Sequence, residues 1–121
     1  MLLGDALMSR RTAFRPLVLL ALAFALWASP ATAEDPSVDL TIRDHRFVPE
    51  TLDVPAGKRV RLVISNADPT PEEFESYELN REKVIPGNGK GIVYIGPLDP
   101  GTYPFFGDFN QSTAKCRIVA K

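Results

Sequence analysis

Phe47-Val-Pro-Glu-Thr-Leu-Asp-Val-Pro-Ala-Gly-Lys-Arg-Val-Arg-Leu-Val-Ile-Ser-Asn66 holds two short alternating runs separated by a turn. Thr51-Leu-Asp-Val54 is the first run, Pro55-Ala-Gly57 interrupts it, and Val60, Leu62 and Ile64 then alternate with Arg59, Arg61 and Val63 as far as Asn66. A period of two sends successive side chains to opposite faces of a strand, and a Pro-x-Gly break supplies a turn in which glycine can take a positive φ. The same pattern continues on both sides. Val38, Leu40 and Ile42 alternate with Asp39, Thr41 and Arg43 upstream, and residues 73–77, 81–85, 91–95, 102–106 and 115–120 form further short runs downstream. Seven or eight strands at roughly ten-residue spacing predict an all-β Greek-key sandwich. Nine prolines and seven glycines after residue 33 leave no uninterrupted stretch for a long helix.

The first 33 residues follow a different logic. Arg10, Arg11 and Arg15 precede an eleven-residue apolar run, residues 17–27, and Ala31-Thr-Ala33 gives a small-x-small pattern. That is the layout of a secretory signal peptide cleaved near Ala33, with translation starting at Met1 or Met8 and the general secretory route favoured over the twin-arginine route. As a helix the run would rise about 16 Å, roughly half a bilayer core, so no membrane span is expected after cleavage. The expected mature product is one domain, residues 34–121, in the periplasm or otherwise outside the cytoplasm.

Counting that domain separately changes the chemistry available to it. The whole chain carries a net charge of −1, whereas residues 34–121 have 11 basic and 14 acidic side chains, a net of −3, with His45 and Cys116 as the only His and Cys and with no Met or Trp. One His and one Cys cannot complete a Cys/His zinc site, an iron–sulfur cluster, an intrachain disulfide or a type 1 copper centre. No nucleophile motif appears, and an 88-residue sandwich offers little cleft for paired-carboxylate chemistry, so no enzyme is expected. Net negative charge without a basic stripe argues against nucleic-acid binding.

The acidic residues are concentrated. Residues 68–82 hold six (Asp68, Glu72, Glu73, Glu75, Glu78 and Glu82) against one basic residue, Arg81. On a strand, Glu73 and Glu75 share a face about 6.5–7 Å apart while Phe74 turns to the other side, so the two carboxylates can converge on one cation. Placed on the outer face of an edge strand they would serve equally well to discourage edge pairing. His45 is the best nitrogen donor in the domain and fits a hydrogen-bonded turn residue as well as a ligand. Cys116, beside Ile118, is expected to be a buried structural thiol.

The quoted stretch resembles the opening of a cupredoxin domain, F-x-P-x-x-[ILV]-x-V-x-x-G leading to a strand that ends in Asn, and Leu98-Asp-Pro-Gly-Thr-Tyr-Pro-Phe-Phe106 is similar to the L-x-P-G-x-Y-x-F segment of that family. The resemblance implies the cupredoxin fold. Its copper ligands do not carry over: the His strand reads Pro71-Glu-Glu-Phe-Glu75, the Cys position is Gly107, and the downstream His and Met fall within residues 108–113, where Asn110 and Gln111 stand. The E-F-E strand, with Leu79-Asn-Arg-Glu-Lys-Val84 and Gly107-Asp-Phe-Asn-Gln-Ser-Thr-Ala-Lys115, resembles EfeO-type cupredoxin-like domains associated with iron uptake through membrane iron permeases. That likeness implies copper or iron held by carboxylates, Glu73 and Glu75 with Glu82 and Asp108 as additions. Glu72 either caps the strand mouth where the family's first His would sit or belongs to the loop. The alternative is a metal-free module that docks a basic partner through the acidic patch; electron transfer by type 1 copper ranks last.

Overall fold

The alternating runs become nine strands among the described residues, which are residue 4, residues 27–30 and residues 32–121 of this computed structural model. The expected signal segment lies almost wholly outside the described residues. The strands are β1 (Ser37–Arg43), β2 (Arg46–Val48), β3 (Thr51–Val54), β4 (Val60–Asn66), β5 (Glu72–Ser76), β6 (Arg81–Ile85), β7 (Lys90–Ile95), β8 (Gly101–Gly107) and β9 (Lys115–Ala120), with a 3-10 turn, Asp108–Asn110, between the last two. They form a four-stranded sheet in the order β2-β1-β4-β7 and a five-stranded sheet in the order β3-β9-β8-β5-β6. The β1–β4 and β3–β9 pairs are parallel and the others antiparallel.

This is the sandwich expected from the sequence, with one strand more. The addition, β2, has three residues and one buried side chain, Phe47, so its alternation is too short to register as a pattern. It exists because Asp44 and His45, both at positive φ (53° and 58°), turn β1 straight back on itself. Two successive positive-φ residues match the right-handed twist of a tight hairpin. Their N–H groups both donate to the Asp68 carboxylate, at 2.8 and 2.9 Å. Asp68 is itself placed by Asn66, whose Oδ1 accepts the Asp68 N–H at 2.9 Å while its Nδ2 donates to the carbonyls of Thr70 and Ile85.

The core lies between the sheets, where Phe47, Phe74 and Phe105 meet with ring centroids 5.0–6.2 Å apart, two pairs edge-on and one stacked. All three rings are at most 1% exposed, and full burial of such a side chain contributes about 1.5–3 kcal/mol. Phe74 fixes the parity of β5. Glu72, Phe74 and Ser76 face inward and are buried, so Glu73 and Glu75 face outward. The strand is not an edge, as the sequence left open: β8 flanks it on one side and β6 on the other. The free side of β6 is itself partly covered, since Arg81 reaches across the sandwich and donates from Nε to the Tyr94 carbonyl at 2.8 Å.

Candidate metal centre

Three carboxylates converge outside the five-stranded sheet. Glu73 and Glu75 project from β5, and the chain leaving β8 at Gly107 turns at once into the 3-10 turn, which carries Asp108 over the same face. One oxygen from each of Glu73, Glu75 and Asp108 lies within 4.8 Å of the others, and all three side chains are half-buried. Partial burial, which penalises a charged carboxylate, holds Glu73 and Glu75 above the ordinary range. The charges of Asp108 and Glu82 push both in the same direction, and Glu75 and Glu72 add to the effect on Glu73. Gln111 steadies Asp108 by donating from Nε2 to its Oδ1 at 2.8 Å.

The other predicted site residues are distributed differently. Glu82 pairs with Glu75 across β5 and β6 but is exposed and outside the convergent set. His45 stays in its turn, exposed, with Nδ1 3.7 Å from Asp68 Oδ2, and is not brought to the triad. Glu72 opens β5, so it is not a loop residue, and it lies outside the convergent set. Its carboxylate is 1% exposed and faces three donors: Oε1 accepts the N–H of Glu73 at 2.9 Å and of Phe109 at 3.0 Å, and Oε2 accepts Asn110 Nδ2 at 2.6 Å. Gly107 makes room for it, since a β-carbon there would lie 2.7 Å from Glu72 Cδ. Two of the six acidic residues counted in the sequence, Asp68 and Glu72, are therefore internal hydrogen-bond acceptors and not part of a surface patch.

Residues 16–120 match the model of the cupredoxin-like domain family. The chain belongs to that family. The uncharacterized protein RP394 of Rickettsia prowazekii (strain Madrid E) is 48% identical to this cupredoxin-like chain over 82 residues, 68% of this chain and 66% of that protein. Among solved structures it is similar to auracyanin A, a blue copper protein from Chloroflexus aurantiacus, at 11% identity and a TM-score of 0.62, covering 73% of this chain and 100% of that one. A copper binding protein solved in its apo form matches at 15% identity and a TM-score of 0.62, over 74% of this chain and 93% of that one. The metal binding domain of the Streptococcus pneumoniae Cu(I)-exporting P-type ATPase CopA matches at 14% identity and a TM-score of 0.60, over 74% and 91% of the two chains. At these identities the likeness establishes the fold.

A type 1 copper ion does not fit the residues at the family's ligand positions. Gly107 offers no donor atom, and Glu72 and Asn110 are already spent on each other. The oxygens of Glu73, Glu75 and Asp108 are a different kind of site, suited to a harder cation. Sequence reasoning found Glu73 and Glu75 from strand parity and Asp108 only through resemblance. It missed the rim around them: Val84 opposite Glu73, Phe106 opposite Glu75, Phe109 beside Asp108, and Tyr77, whose ring lies 5.4 Å from that of Phe106. Val84, Phe109 and Tyr77 are 50%, 49% and 73% exposed. Cys116, expected to be buried, is half-buried and lines a groove of about 370 Å³ beside Tyr77 and Phe106. Its burial and the charge of Glu50 push its thiol up to about 11, so it stays a thiol at neutral pH.

Proposed function

We propose that this cupredoxin-like protein is exported to the periplasm and binds copper or iron through Glu73, Glu75 and Asp108, as a non-enzymatic accessory of metal uptake of the EfeO type. The observation that carries the reading is the convergence of the three carboxylates. They come from two elements more than thirty residues apart, and the two of them on β5 carry a cost of ionisation that a bound cation would offset. Carboxylate oxygens without nitrogen or sulfur favour Fe(III) or Cu(II) over Cu(I), which takes thiolate and thioether donors. Bound there, the ion would be cargo for a membrane iron permease, and the exposed rim of Val84, Phe109 and Tyr77 is where such a partner would rest.

That same rim favours one competing reading, in which the carboxylates receive the basic side chains of a protein partner and no metal. Calorimetric titration with Cu(II), Fe(III)-citrate and Zn(II), repeated on Glu73→Ala and Glu75→Ala, separates the two. Saturable binding at or below about micromolar that is lost in both variants is expected. No such binding, or binding indifferent to both substitutions, leaves the docking module as the better account.

A further inference from the structure

We infer that the buried Glu72 carboxylate is the positioning residue of the triad, fixing Asp108 against Glu73 and Glu75 from the opposite side of the sheet. The inference rests on the triad being a cation site. A single oxygen, Oε1, accepts the N–H of Glu73 and the N–H of Phe109, the residue that follows Asp108. The peptide that begins one ligand strand segment and the peptide that leaves Asp108 are thus bonded to one atom. Oε2 takes Asn110 Nδ2 at 2.6 Å and so holds the far end of the same 3-10 turn. That turn has no side-chain cap of its own. Gly107 and Ala114 lie against the carboxylate: a β-carbon at 107 would lie 2.9 Å from Oε1 and 2.8 Å from Ala114 Cβ, so the seat of Glu72 depends on glycine at 107. The backbone N–H of Gly107 also donates to the Ala114 carbonyl at 2.8 Å, so the loop is pinned at its base and Glu72 sets what happens at its tip. Among the described residues, no other side chain bonds both β5 and the 3-10 turn.

Removing the partner that orients a ligand typically costs about 10–100-fold in metal affinity. A double-mutant cycle distinguishes positioning from a general loss of structure, because a residue acting through Asp108 has nothing left to act on once Asp108 is gone. Cu(II) affinity is measured on the wild type, Glu72→Ala, Asp108→Ala and the double variant, with folding of each checked by circular dichroism. The expected result is a loss of about tenfold or more for Glu72→Ala alone and a loss in the double variant no larger than for Asp108→Ala. If Glu72→Ala does not fold, Asn110→Ala, which removes only the Oε2 contact, takes its place in the cycle with a smaller loss that likewise vanishes without Asp108. Additive losses, or unchanged affinity in the single variant, overturn the inference while the cation site stands. Absence of saturable binding of Cu(II), Fe(III)-citrate and Zn(II) to the wild type overturns the cation site and this inference with it.

Discussion

Gly107 and Gly57 are both intolerant of a side chain, for opposite reasons. Gly107 has an ordinary extended backbone, φ −92°, and lacks space; Gly57 has φ +73° and nothing within 4 Å of where a β-carbon would stand. Gly107→Ala is therefore an overpacking change expected to cost about 1–3 kcal/mol in urea unfolding, whereas Gly57→Ala is a conformational one costing about 1–2 kcal/mol. The carboxylates divide in the same way. Glu73 and Glu75 have values raised above the ordinary 4.5 by desolvation and neighbouring charge. The folded state thus binds protons more readily than the unfolded chain, and stability increases as pH falls through the raised values towards 4.5. Asp68 is lowered from its ordinary 3.8, chiefly by the hydrogen bond from the His45 N–H, so its contribution is present above 3.8 and is lost as pH falls through the lowered value. Urea midpoints across a pH series should therefore rise on mild acidification and drop on stronger acidification. Glu73→Gln should flatten the first limb and Asp68→Asn the second; a profile unchanged by both would contradict these assignments.

Between β1 and β2 the chain reverses through two positive-φ residues that are not glycine, and a single side chain from another loop makes this tolerable. Asp68→Ala removes the acceptor of both turn N–H groups, bonds to a charged oxygen that contribute about 1.5–3 kcal/mol where water does not fully replace them. The substitution should destabilise by that amount, and amide exchange should quicken at Asp44 and His45 before the β4–β7 ladder opens. Equal acceleration throughout would mean that the turn is not held locally. The same elements show what a sequence can and cannot disclose. Parity is a local property, so the outward pair Glu73 and Glu75 and the inward Phe74 were legible from alternation alone. β2 was not, because a three-residue strand owes its existence to Asp68, which is more than twenty residues away. Glu72 was ambiguous for the same reason: its place is defined by Phe109 and Asn110, and only the folded β8–β9 connection brings those donors to it. Acidic residues that look alike in a row of fifteen turn out to be two internal acceptors and a surface cluster, a distinction made by burial and not by composition.

Across the whole molecule, stability and the proposed site pull against each other. Three half-buried carboxylates on one side of a small sandwich raise the free energy of the metal-free state, and the core supplies what they cost. Phe74 joins the two requirements, since the ring that anchors the aromatic cluster also sets the parity of its glutamate neighbours. Phe74→Ala should cost about 3–5 kcal/mol, a large share of a typical total of about 5–15 kcal/mol, and should weaken cation binding along with the fold. Neutralising the ligands should do the reverse. Glu73→Gln and Glu75→Gln keep side-chain volume while removing repulsion, so their metal-free melting temperatures should lie above that of the wild type. A cation at a hundred times its Kd stabilises the state that binds it by about 2.7 kcal/mol, which for a domain of this size raises Tm by about 10–20 °C. The wild type should show that shift and the two variants should not, so that the order of stabilities inverts between metal-free and metal-loaded samples. Variants that melt below the wild type without metal would show that the carboxylates are stabilised by neighbours and not strained by one another. A shift shared by all three proteins would place the cation elsewhere on the surface. Inversion arises only if the same two side chains oppose folding and hold the ion, as expected of a site that burdens a fold until its cargo arrives.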